Sequence, residues 1–125
     1  MTMDRNHQVL NVLKALADHN RLLIVSALHL HKEMCACQIT ELLEVTGATA
    51  SRHLALLVNA GILNSRKDGR WIYYSISKAF AGEYGLLKQW LENIPVDQAL
   101  TDEESARLER ILEMDIADVC RKRRS

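Results

Sequence analysis

Apolar positions along the chain repeat at helical spacing first, at strand spacing in the middle, and at helical spacing again toward the end. Val9, Leu10, Val12, Leu13, Leu16 and Ala17 make one helical stripe. Asp18-His19-Asn20 then supplies capping residue types before Leu22, Val25, Ala27 and Leu28 begin a second. Ile39, Leu42 and Leu43 predict a short third helix broken at Thr46-Gly47. Thr46 caps a fourth helix, which runs to about Asn59 and ends at Gly61. From Ile62 to Lys67 and from Arg70 to Ile76 the period is two, around Asp68-Gly69. Asp-Gly between such runs predicts a hairpin with a type I′ turn, which sets Lys67 opposite Arg70 and puts Leu63, Ile72, Tyr74 and Ile76 on the face toward the helices. Phe80, Tyr84, Leu87, Leu91 and Ile94 step by four, three, four and three, predicting one more helix that Pro95 stops. Thr101-Asp102-Glu103-Glu104 is a capping box, opening a final helix with Leu108, Ile111, Leu112 and Val119.

A helix-turn-helix followed at once by a basic-tipped hairpin is a winged-helix arrangement. The fold class expected is therefore mainly α with a small β wing. In the fourth helix Ala50, Leu54 and Leu57 share the inward side, which leaves Ala48, Thr49, Ser51, Arg52, His53 and Ala55 outward. Small side chains there let a backbone approach DNA, Thr and Ser can donate to phosphates or bases, and Arg can bond guanine bidentately. Lys67 and Arg70 on the wing suit phosphate, or the minor groove for the arginine. Candidate DNA contacts are thus Ala48, Thr49, Ser51, Arg52, His53, Lys67 and Arg70.

Charge strengthens this picture once the chain is cut into pieces. The net charge of the 125 residues is zero, yet Val45 to Lys78 carries Arg52, Arg66, Lys67, Arg70 and Lys78 against Asp68 alone. Glu92 to Asp118 is acidic, and Arg121-Lys122-Arg123-Arg124 restores the balance, in the position that complements the negative end of a helix. The length fits one domain: residues 1–100 as the winged helix-turn-helix, and 101–125 as a C-terminal helix and basic tail of the same unit. No run approaches the roughly 18 apolar residues of a membrane span, and Met1 to His7 has no leader-like apolar core, so a cytoplasmic protein is expected.

Three cysteines, two of them a single residue apart, argue for reduced thiols rather than a secreted disulfide framework. Cys35-Ala36-Cys37 falls at the N-terminus of the third helix, where exposed N–H groups and the helix dipole favour thiolate and hence thiophilic ions. Residues two apart in a helix point about 200° away from each other, so a shared ion requires this turn to be distorted. His29 and His31 stand near enough in sequence to join a zinc site. No Cys-x-x-Cys beside a βαβ pattern, Gly-rich phosphate loop or paired-carboxylate motif is present, which argues against an enzyme.

Four segments in this order and spacing resemble the ArsR/SmtB family of bacterial metal-sensing repressors: Ala15-Leu16-Ala17-Asp18-His19-Asn20-Arg21-Leu22, Thr49-Ala50-Ser51-Arg52-His53-Leu54, Ala60-Gly61-Ile62-Leu63 and Gly69-Arg70-Trp71-Ile72-Tyr73-Tyr74. The resemblance covers roughly Val9 to Trp90. It implies a homodimer joined through the first and fifth helices, bound to palindromic operator DNA and released by an effector. The Cys-x-Cys pair resembles the arsenic-sensing branch, implying trivalent arsenic or antimony as inducer. The branch's usual third cysteine position holds Thr40 here, so either Cys35 and Cys37 suffice or Cys120 completes the metal site. Cadmium- and lead-sensing relatives add cysteines in an N-terminal extension, where this chain has only Met1, Met3 and His7. The zinc-sensing branch uses acidic and His ligands on the fifth helix, and no His lies between Ala79 and Ile94. The alternatives are a cadmium-, lead- or zinc-responsive repressor of the same fold, an oxidation sensor in which Cys35 or Cys37 bonds to Cys120, and a winged helix used only to bind protein, for which the basic wing would be superfluous.

Overall fold

The computed structural model describes residues 2–92 and 101–124, with side chains described for 8–89 and 101–120. Ile94 and Pro95 lie outside the described residues, as do the side chains of Met3, His7, Leu91 and the basic tail. The chain opens with α1 (Thr2–Leu16) and α2 (His19–Leu30). They are separated by a turn in which Asp18 accepts from the Arg21 N–H at 3.0 Å and caps α2. A strand β1 (Glu33–Cys35), α3 (Ala36–Leu43) and α4 (Gly47–Asn59) follow, then the hairpin β2 (Leu63–Asp68) and β3 (Trp71–Ile76).

The helix-turn-helix is shaped by its caps. Glu44 ends α3 in a left-handed conformation, φ 55°, and Thr46 accepts from the Thr49 N–H to start α4. At the far end of α4, Gly61 takes φ 78°; its N–H bonds to Val58 O and that of Ile62 to Leu57 O, a Schellman motif that turns the chain into the wing. Ile24, Leu28, Ile39, Leu42, Leu57, Ile62 and Leu63 meet in one apolar core, which also takes in Val12 and Leu16 of α1 and Phe80.

Four elements differ from the sequence expectation. The sheet has three strands in the order β1-β3-β2, because Glu33–Cys35 pairs antiparallel with Tyr73–Ser75; three residues are too few to show a period. The hairpin register pairs Lys67 with Ile72 and Asp68 with Trp71, so the turn residues are Gly69 and Arg70, and Lys67 does not face Arg70. Only Gly69 has positive φ, 62°, which is the type II′ pattern rather than I′. Tyr74 and Ile76 pack on the core, but Ile72 is exposed, since it lies too far out on the wing to meet a helix.

The helix over Phe80 is divided at Tyr84 into α5 (Lys78–Glu83) and α6 (Gly85–Glu92). Gly82 and Gly85 flank the break, and glycine lowers the cost of leaving helical geometry. The final helix is likewise two, α7 (Asp102–Glu113) and α8 (Ile116–Arg124), broken where Met114 takes an extended conformation. Both pack on α3, and Leu108 and Ile111 of α7 belong to the same core. Among the described residues no helix is long and apolar enough to cross a membrane.

Candidate nucleic-acid interface and thiol cluster

The inward side of α4 is as the periodicity sets it, with Ala50, Leu54 and Leu57 buried. Ala48, Ser51, Arg52 and Ala55 are exposed, and Thr49 is half-buried beside the Thr46 hydroxyl. His53 is not on the outward face. Its side chain is only 14% exposed, its Nδ1 lies 3.1 Å from an Arg21 guanidinium nitrogen, and Asp18 stands 3.9 Å away. Arg21 in turn donates to the carbonyls of Lys14 and Ala15, so His53 ties α4 to the α1–α2 corner. Helical spacing alone placed it wrongly, because 100° per residue puts it on the boundary between the two faces.

On the wing, Lys67 and Arg70 are exposed, with the Arg70 guanidinium 5.7 Å from the Trp71 ring centroid. Arg66 is already engaged. It forms two 2.7 Å bonds to the Glu33 carboxylate and lies 4.5 Å over Tyr73, and its hydrogen bonds hold the Glu33 carboxyl below the ordinary range against a weaker opposing effect of burial. Sequence charge counting treats Arg66 as free because β1, which brings Glu33 alongside, is invisible to it.

Cys35 does not lie inside the third helix. It is the last residue of β1 and the N-cap of α3, extended at φ −73°, ψ 150°, and Gln38 Oε1 accepts from its N–H at 2.8 Å. The 200° divergence expected within a helix therefore never arises, and no distortion is needed to bring the pair together. Cys35 is buried at 1% exposure, and its sulfur, that of Cys37 and that of Cys120 all lie within 4.8 Å of one another. The expectation of three separate thiols is corrected: Cys37 and Cys120 are disulfide-bonded, with Cα atoms 5.2 Å apart, and Cys35 is the free one. No such ligand group among the described residues includes His29 or His31, both exposed. Thr40 turns its hydroxyl back to Ala36 O at 2.7 Å.

Cys120 arrives from 83 residues away because α7 and α8 are anchored. Val119 is fully buried beside it. Thr101 and Glu104 complete the capping box reciprocally at 3.0 Å, and Glu104 reaches His19 at 2.8 Å across the fold. Burial pushes the Glu104 carboxyl up, but the Thr101 N–H and His19 outweigh it and leave it below the ordinary value. A depressed carboxyl stabilises the fold above its unfolded-state pKa and loses that contribution as pH falls through the folded one. Thermal melts taken from about pH 6 down to about pH 3, across the ordinary glutamate range, should drop less steeply for Glu104→Gln than for the wild type. Parallel curves would show that this carboxylate contributes nothing.

A family model described as "Bacterial regulatory protein, arsR family" matches residues 18–65, from the α2 cap into the wing. The chain is 46% identical over 68 residues to a cadmium resistance transcriptional regulatory protein CadC homolog of Staphylococcus aureus, covering 54% of this chain and 56% of that protein. It is 41% identical over 68 residues to the arsenical resistance operon repressor of Escherichia coli, covering 54% and 58%. The matched stretch thus spans little more than half the length of these relatives. Among solved structures, the transcriptional repressor PagR of Bacillus anthracis superposes with a TM-score of 0.55 at 31% identity, covering 68% of this chain and 98% of that one.

Proposed function

Because the chain belongs to the ArsR family of bacterial regulatory proteins, we propose that it is a DNA-binding repressor that leaves its operator when Cys35, Cys37 and Cys120, once reduced, bind trivalent arsenic or antimony. The observation that carries this is the convergence of three sulfurs from a strand end, a helix start and a C-terminal helix within 4.8 Å. Trivalent arsenic and antimony are soft centres that take three sulfurs in a pyramid. Zinc favours a tetrahedron, for which no fourth ligand stands among the described residues of the cluster. DNA is read by Ala48, Thr49, Ser51 and Arg52, and its phosphates by Lys67 and Arg70, while His53 positions the helix. The exposed apolar residues Val9, Leu10 and Leu13 of α1 and Leu86 of α6 support a homodimer, and the site of action is the cytoplasm.

The test is a titration of the reduced protein with arsenite, cadmium and zinc on labelled promoter DNA. Release by arsenite at the lowest concentration is expected. Release by cadmium or zinc alone would overturn the choice of inducer. Oxidation is the second reading, favoured by the Cys37–Cys120 bond: a peroxide takes two electrons from the two thiols and leaves as water, removing two of the three ligands.

A further inference from the structure

Besides Cys120, α7 and α8 bring a second polar group to α3, at its opposite end. Arg107 of α7 donates its Nε–H to Leu42 O at 2.8 Å, and its guanidinium lies 3.2 Å from the Glu44 carboxylate. Leu42 O is among the last carbonyls of α3, which have no partner within the helix, and a cation there complements the dipole. Glu44 is the left-handed residue that turns α3 toward α4. The Arg107 side chain is only 13% exposed, between buried Leu108 and the α3 terminus, whereas Glu44 is 64% exposed.

We infer that Arg107 is a positioning residue that passes the state of the sulfur cluster to the helix-turn-helix, because α7 and α8 grip α3 at its start through Cys120 and at its end through Arg107. This rests on the effector reading above and names its route. Free thiols leave α8 held to α3 by apolar packing around Val119, whereas one atom bound to three sulfurs fixes α8, the end of β1 and the start of α3 to a common centre. The two helices are joined by a tight corner, where Asp115 O accepts from the Asp118 and Val119 N–H groups. A shift of α8 is therefore felt by α7, and through Arg107 by the residues that aim α4. Both sites bias one element, which is the physical requirement for coupling.

The test uses the full-length reduced chain, sodium arsenite and a labelled promoter duplex. Arsenite binding is followed by thiolate absorbance, and operator affinity by anisotropy with and without arsenite. Arg107→Gln should bind arsenite and, without it, operator about as the wild type does. The arsenite-induced loss of operator affinity should shrink by about tenfold, a change within the usual range of coupling factors. Arg107→Lys keeps the charge but not the fork that spans two acceptors, so it too should lose coupling, and it decides the matter if Arg107→Gln does not fold. Wild-type coupling in a folded Arg107 variant overturns the relay, as does weakened operator binding with the coupling ratio intact, which marks a merely structural role. A wild type that binds no arsenite, or binds it without releasing DNA, fails the effector reading itself, and the relay falls with it.

Discussion

Cys35→Ser and Cys37→Ser should keep the operator at wild-type affinity and stay bound when arsenite is added. The sulfurs lie on β1, α3 and α8, while the exposed basic and hydroxyl groups lie on α4 and the wing, so the proposed sensing and DNA contacts use separate atoms. Serine also suits the first site structurally. Cys35 is an N-cap, where serine is among the preferred residues, so the fold should survive the exchange. What is lost is the soft ligand, since a hydroxyl is harder and far less acidic than a thiol. Cys120→Ser should weaken the arsenite response markedly, because its sulfur is one of three in the cluster. Anisotropy of labelled operator under reducing conditions separates these outcomes. An unaltered arsenite response in Cys35→Ser would remove the basis for thiolate sensing.

Operator affinity should collapse as salt rises. A protein that neutralises about six to ten phosphates loses roughly a thousandfold to a hundred-thousandfold in affinity between about 50 and 200 mM salt, through counterion release. The exposed cations of this chain divide by role. Arg70→Ala should weaken all sequences alike and flatten the salt slope. Arg52→Ala should cost about 1–3 kcal/mol on operator and relax its sequence preference. Arg66→Ala should do less than Arg70→Ala, because its guanidinium is committed to Glu33 and Tyr73. Equal losses on operator and random DNA for Arg52→Ala and Arg70→Ala would refute the division, and a salt-independent complex would refute electrostatic binding.

What the sequence determined by itself was local. The Asp18, Thr46 and Thr101 caps, the Gly61 exit from α4, the presence of the hairpin though not its register or turn type, and the inward row Ala50, Leu54, Leu57 all depend on residues within a few positions of one another, so pattern and spacing suffice to find them. The Cys35-Ala36-Cys37 pair was legible for the same reason. Tertiary structure decided whatever joins distant segments. Only packing shows that β1 adds a strand and neutralises Arg66, that Arg21 and Asp18 draw His53 off the exposed face of α4, and that Arg107 holds the end of α3. Cys120 is the clearest case. Between Val119 and Arg121, nothing local in the sequence ties it to the Cys35-Ala36-Cys37 pair; burial of Leu108, Ile111 and Val119 fixes α7 and α8 on α3 and delivers the third sulfur. Contacts across 83 residues depend on how apolar faces pair, and a one-dimensional pattern shows only that such faces exist.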